Sequence, residues 1–147
     1  MIMSKLAGGL GNYLFQIAAG YTLAMKNYDN FAVDFSKATR VHKDVNTYRS
    51  NILRKVKDDA SVCENTYIEP KFSHTEITYS KSLELKGYFQ SEKYLNRELI
   101  LDLYSIDSKS YGRIFKEYLP LDNVVSLHVR RGDYLDKIDR HPPTELS

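Results

Sequence analysis

Apolar and polar positions change period several times along the chain, and each change predicts an element. Met1 to Leu6 is a short, mostly apolar run interrupted by Gly8, Gly9 and Gly11, after which Leu14, Ile17, Ala18, Tyr21 and Met25 recur at helical spacing. This is the order strand, glycine loop, helix. Phe31, Val33 and Phe35 then alternate with Ala32 and Asp34, predicting a second strand and hence a strand-helix-strand unit with a parallel sheet. Crossover handedness places the helix on one face of that sheet.

From Lys37 to Ser82 polar residues, tyrosines and short apolar runs such as Ile52, Leu53 and Val56 mix without a sustained period, and no element is assigned there. Leu83 to Leu85 predicts a strand, Ser91 to Leu103 a helix capped by Ser91, and Ser108 to Leu119 a further helix stopped by Pro120. Val124 to Val129 predicts a buried strand. No internal repeat or low-complexity tract occurs. The last residues, DRHPPTELS, place Pro142 and Pro143 before what reads as the start of another element, so the sequence is expected to continue past Ser147.

At 147 residues the chain holds one domain with a real core, or one domain and the opening of a second. Its apolar fraction of 42% is that of a folding sequence, not a disordered one. Lys and Arg number 21 against 19 Asp and Glu, so bulk charge gives no reason to expect nucleic acid as a partner. No apolar stretch approaches the roughly 18 residues of a membrane span, and the N-terminus lacks the features of an export signal. Cys63 is the one cysteine and no Asn-x-Ser/Thr sequon is present, which fits a reducing, cytoplasmic compartment.

Gly8, Gly9 and Gly11 lie between a strand and a helix, where glycine lets backbone N–H groups approach a ligand and the helix start favours an anion. A dinucleotide fingerprint is not met, because Leu14 occupies the third glycine position counted from Gly9 and Gly11. A phosphate loop is not met either, since no Gly-Lys-Ser/Thr follows. A tight turn that needs small residues explains the loop equally well.

The stretch LHVRRGDYL, residues 127 to 135, ends a strand with two permanent cations. Along Val124 to Val129, Val125, Leu127 and Val129 face one way and Ser126, His128 and Arg130 the other. Arg131 and Gly132 then fall at the strand's carboxyl end, where open α/β sheets hold ligands. A guanidinium binds phosphate through two parallel hydrogen bonds, each charge-assisted contact contributing about 1.5–3 kcal/mol. An internal salt bridge of Arg130 or Arg131 with Asp133 is the competing account, and one arginine can serve each role. His128 suits positioning better than catalysis. His42, His74 and His141 lack metal-ligand spacing, and no Asp-x-Asp pair is available to hold a divalent ion against a diphosphate, so the reading is an anion site without a metal or cofactor. Asp34, at a strand end near the glycine loop, is a positional candidate for a general base, a solvated carboxylate being the alternative.

With these residues in view, the chain resembles the alpha-1,2-fucosyltransferase family, glycosyltransferase family 11. The resemblance rests on GGLGNYLFQIAAG at Gly8 to Gly20, LKGYFQSEKYL at Leu85 to Leu95, and HVRRGDYL at His128 to Leu135. It implies an α/β, Rossmann-like parallel sheet forming the N-terminal part of a two-domain GT-B enzyme. On that reading residues 1–122 are the acceptor-side domain, and 123–147 are the first strand and arginine loop of the donor-binding domain. The implied reaction is inverting transfer of L-fucose from GDP-fucose to the 2-hydroxyl of a terminal galactose, without an essential metal. Arg131 then meets the β-phosphate, with Arg130 as second contact or support, so that both cations offset charge on departing GDP. His128 positions donor, and Asp133 and Tyr134 hold the arginine loop. Gly9, Gly11 and Asn12 form the wall of the cleft, with Asn12 reaching donor or phosphate, and Tyr88, Gln90 and Ser91 are further lining candidates. Membrane association, at the periphery, is a family-level expectation. Tyr13 departs from the family pattern, which has glutamine there, and full members run to nearly twice this length, with later segments that grip guanine and ribose, so this chain alone is expected to show little fucosyl transfer. Two other readings stay open: a non-catalytic protein that binds glycan or phosphate through the same fold, and a fucosyltransferase of other linkage specificity.

Overall fold

A computed structural model describes residues 1–38, 45–118 and 125. The chain divides into two compact units, Met1–Ser108 and Lys109–Ser147. The expected domain boundary at 122/123 and the strand at 124–129 lie outside the described residues, Val125 excepted.

The first unit is built on a four-stranded, all-parallel sheet of β1 (Ile2–Ser4), β2 (Phe31–Ala32), β3 (Asn65–Ile68) and β4 (Leu83–Lys86), in the order β2-β1-β4-β3. It is an α/β, Rossmann-like arrangement. Helix α1 (Leu10–Lys26) connects β1 to β2 and packs on both. Its buried positions Tyr13, Gln16, Ile17, Gly20 and Ala24 recur every three or four residues, as a helix lying on a sheet requires. Gly20 is where the helix comes closest: a Cβ there would lie 2.3 Å from Ser4 Oγ and 2.5 Å from a Phe31 ring carbon. The helix ends at Asn27, whose side-chain amide donates to the Leu23 carbonyl, and Tyr28 follows at φ +52°.

The expected strand Phe31–Phe35 is shorter than its pattern. Pairing with β1 stops at Ala32, Val33 makes one parallel bridge to Asp58, and Asp34 then accepts from Ser36 N to open a 3-10 turn at Phe35–Lys37. The carboxylate competes with the ladder for backbone and wins. After a single helical turn, α2 (Asn46–Arg49), the chain crosses to the other side of β1 to form β3 and then β4. β4 follows expectation, with Leu83 and Leu85 buried. β3 carries no alternation because, as an edge strand, it leaves Asn65, Thr66 and Ile68 exposed.

The helix expected over Ser91–Leu103 is two elements. Ser91 caps only a 3-10 turn, Glu92–Tyr94; the chain then extends, and Asn96 accepts from Leu99 N to start α3 (Arg97–Leu103) afresh. Both pack against α1, where Thr22 Oγ1 accepts from Asn96 N at 3.1 Å and Tyr104 donates to the Leu14 carbonyl at 2.7 Å. One core joins Ile2, Leu6, Tyr13, Ile17, Val33, Leu53, Leu85, Phe89 and Tyr94. Helix α4 (Ser108–Tyr118), which belongs to the second unit from Lys109 on, sets Tyr111, Ile114 and Phe115 on one exposed stripe. Among the described residues no helix is long and apolar enough to cross a membrane.

Candidate functional site

Because the four strands are parallel, the loops that follow them share one edge of the sheet. From β1 the chain runs through α1 to β2 on one side, while β3 and β4 are built on the other. The order therefore reverses between β1 and β4, the position at which open α/β sheets hold ligands. The two loops at that point are Lys5–Gly9, which runs into the first stretch that carried the family resemblance, and Gly87–Gln90, which lies inside the second.

In the first loop the glycines have different reasons. Gly8 sits at φ +92°, and a Cβ there would lie 2.3 Å from Asn12 Nδ2, so the turn itself demands glycine. Gly9 is the N-cap of α1 in extended conformation and offers no side-chain cap, while Gly11 is in the first helical turn. A Cβ at Gly9 or Gly11 would meet nothing within 4 Å, and both residues are exposed. Neither backbone strain nor crowding among the described residues requires glycine at these two positions. The first turn of a 17-residue helix thus presents uncapped N–H groups across an open, side-chain-free surface.

The second loop is tied to the first by Gln16, which is only 1% exposed. Its Oε1 accepts from Ala7 N at 3.0 Å, and its Nε2 donates to Ala7 O at 3.2 Å and to Gly87 O at 3.0 Å. Ser4 Oγ donates to the Gln16 carbonyl at 2.8 Å, fixing the same turn of helix over the end of β1. Buried amide groups need such partners, so this side chain sets the spacing of both loops.

Beyond Gly87 the chain makes a sharp, strained turn with Phe89 at φ +52° and its ring fully buried against Tyr67 and Tyr94. Glu69, directly after β3, holds that turn by accepting from Tyr88 N at 2.7 Å and Phe89 N at 3.1 Å. Gly87 admits the carboxylate, since a Cβ there would lie 2.6 Å from Glu69 Oε2. At the surface of the same junction, Gln90 Nε2 donates to Asn12 Oδ1 at 2.7 Å.

The structure therefore brings Gly9, Gly11, Asn12, Tyr88 and Gln90 to one edge of the sheet. Ser91 instead caps the following turn through Lys93 N. Tyr13 points into the core with no exposed surface, and burial, with Tyr48 nearby, raises its phenol pKa. That orientation keeps its side chain away from the surface at the glycine loop. Asp34 is a buried carboxylate rather than a solvated one. Its ion pair with Lys37 at 2.7 Å, aided by hydrogen bonds from Ser36, holds it below the usual carboxylate range, which disfavours it as a base. Arg130, Arg131, His128, Asp133 and Tyr134 lie outside the described residues. Among the described residues no group of three or more His, Cys, Asp or Glu is placed to hold a metal ion. A hollow of about 140 Å³ lined by Lys26, His74, Lys93 and Tyr94 lies along the C-terminal half of α1, away from the glycine loop.

Gln16 and Glu69 were not visible as site residues in the sequence. The signal for Gln16 was a lone amide on the helix face otherwise occupied by Tyr13, Ile17 and Gly20; Glu69 had none, its strand being unmarked.

The chain is similar to an alpha-1,2-colitosyltransferase of Escherichia coli, with 24% identity over 165 aligned positions that cover 95% of this chain and 57% of the relative. It thus spans little more than half the length of the curated relative it matches. No protein-family model matches the chain, and no solved structure does. This similarity supports a relationship to the glycosyltransferases, enzymes of the transferase class that move a sugar from a nucleotide-sugar donor to a glycan acceptor.

Proposed function

We propose that the chain is the N-terminal part of a GT-B glycosyltransferase that moves L-fucose from GDP-fucose to the 2-hydroxyl of a terminal galactose, with inversion. The observation that carries this reading is the similarity along nearly the whole chain to an enzyme named for alpha-1,2 sugar transfer. It is supported by the loop pair at the sheet reversal, where the glycine motif and the GYFQ motif are clamped together by Gln16.

In this mechanism the 1–122 domain presents the acceptor, and the surface over Gly9, Gly11 and Asn12 walls the cleft. Arg131 grips the donor β-phosphate, Arg130 makes a second contact or supports the loop, and His128 orients the donor. Asp133 and Tyr134 keep the arginine loop in shape. As the bond to the anomeric carbon breaks, charge builds on the diphosphate, and the guanidinium pair stabilises it where other transferases use a divalent ion. The reaction on this account needs no metal.

A second reading, colitosyl transfer with the same linkage, is favoured by the name of the relative. A donor panel of GDP-fucose, GDP-colitose, GDP-mannose and UDP-galactose, assayed with a galactose-terminated acceptor and read by mass spectrometry, separates the two. Product from GDP-fucose alone supports the first reading and product chiefly from GDP-colitose the second. Product from GDP-mannose or UDP-galactose alone refutes both.

A further inference from the structure

Two aromatic rings at the ligand edge do no work in the core. Phe72 is 73% exposed and Tyr88 36% exposed, yet they stack on each other with centroids 6.1 Å apart and planes 16° from parallel. They come from different loops, Phe72 from the segment after β3 and Tyr88 from the turn after β4, so both stand at the carboxyl edge. Glu69, three residues before Phe72 in the chain, accepts from the N–H of Tyr88 and so ties the turn that carries Tyr88 to the end of β3. The neighbouring Phe89 supplies the ring that the core needs.

We infer that Phe72 and Tyr88 form a platform for a pyranose ring of the glycan acceptor, an assignment that rests on the glycosyltransferase reading and names its acceptor subsite. A pyranose such as galactose turns a patch of C–H groups to one face, and these pack on the electron-rich face of an aromatic ring. Its hydroxyls lie around the rim and need neutral donors and acceptors. The Gln90–Asn12 pair begins two residues beyond Tyr88, and its mutual bond uses Gln90 Nε2 and Asn12 Oδ1. Among the described residues Gln90 Oε1 and Asn12 Nδ2 are not otherwise engaged, which leaves one acceptor and one donor for sugar hydroxyls. Aromatic face and amide rim together make a surface of the kind that binds a neutral sugar.

Saturation-transfer NMR on the full chain tests this, with lactose as the galactose-terminated probe and GDP measured separately. The galactose ring protons of lactose receive saturation from the wild-type protein. Phe72→Ala and Tyr88→Ala each weaken lactose binding by about three- to tenfold while Tyr88→Phe, which keeps the ring, retains it. GDP binding is unchanged in all three. Phe72→Lys, at a largely exposed position, serves as a second variant that leaves the core intact, and thermal melting verifies folding. Lactose signals that are absent from the wild type, or unaltered in folded Phe72→Ala and Phe72→Lys, overturn the assignment. Loss of GDP rather than lactose signal gives the rings to a nucleobase and overturns it equally. If ring-dependent lactose binding persists while the extended enzyme turns over no nucleotide sugar, the transferase reading fails and the sugar platform stands.

Discussion

Gln16 on α1 donates through Nε2 to the carbonyl of Gly87, 3.0 Å away and 71 positions along the sequence. With its two bonds to Ala7, that side chain holds together the loops after the two central strands.

Gln16→Ala should therefore destabilise the fold far more than a surface substitution. It leaves the Ala7 N–H and the Gly87 carbonyl without their partner, at a cost of about 2–4 kcal/mol for the pair. Gln16→Glu keeps an acceptor for Ala7 N but faces two carbonyls without a donor, and should be no milder at neutral pH. Urea unfolding followed by circular dichroism reads this as a lower midpoint at unchanged slope. A midpoint equal to that of the wild type would deny Gln16 the clamping role.

Two glycines on one helix should respond oppositely to alanine. Gly20→Ala drives a methyl into Ser4 and Phe31 and should cost about 1–3 kcal/mol. Gly11→Ala meets nothing and gains helix propensity, so stability should hold or rise by up to about 1 kcal/mol. If Gly11 walls the cleft, that same variant should lose transfer activity while melting no lower than the wild type. Full activity in Gly11→Ala would remove this position from the site.

The strand-helix opening and β4 were legible in the sequence because burial on one side left a clean period: Leu14, Ile17 and Tyr21 on the helix, Leu83 and Leu85 on the strand. β3 was not, since an edge strand exposing Asn65, Thr66 and Ile68 has no buried face to write a pattern. The helix expected over Ser91–Leu103 misled for a different reason. Its apolar residues serve two short elements, and the local cap at Asn96 overrides the apparent continuity. Of the candidate site, the glycine loop and the GYFQ stretch stood out in the sequence, but the tie between them did not. A hydrogen bond between a helix and a loop 71 residues away leaves no mark on either segment. The arginine half of the expected site, Arg130 and Arg131 with His128, lies outside the described residues.

Asp34 should make part of the stability depend on acid. Its pKa is lowered by Lys37 and Ser36, so the folded state binds its proton less readily than the unfolded chain. The stabilisation is complete above the ordinary carboxylate pKa of about 4 and is lost as pH falls from there through the folded value. Asp34→Asn should lower the melting temperature at pH 7 and narrow its gap to the wild type as pH approaches about 2.5. A gap that stays constant across this range would contradict the assigned ion pair.

The central claim is that departing nucleotide diphosphate is met by arginine in a fucosyl transfer, and Arg131→Lys tests it most directly. Lysine keeps the charge but loses the planar fork that binds two phosphate oxygens at once. The measurement is kcat/KM for transfer from GDP-fucose to a galactose-terminated acceptor, with melting recorded alongside to establish folding. The account predicts alpha-1,2-fucosylated product in excess EDTA from the extended enzyme of which this chain is proposed to be the N-terminal part. For folded Arg131→Lys it predicts a loss of about 30-fold to a thousandfold, equivalent to roughly 2–4 kcal/mol of transition-state stabilisation. Wild-type kcat/KM in folded Arg131→Lys, or no fucosyl transfer by the extended enzyme of which this chain is proposed to be the N-terminal part, would contradict it.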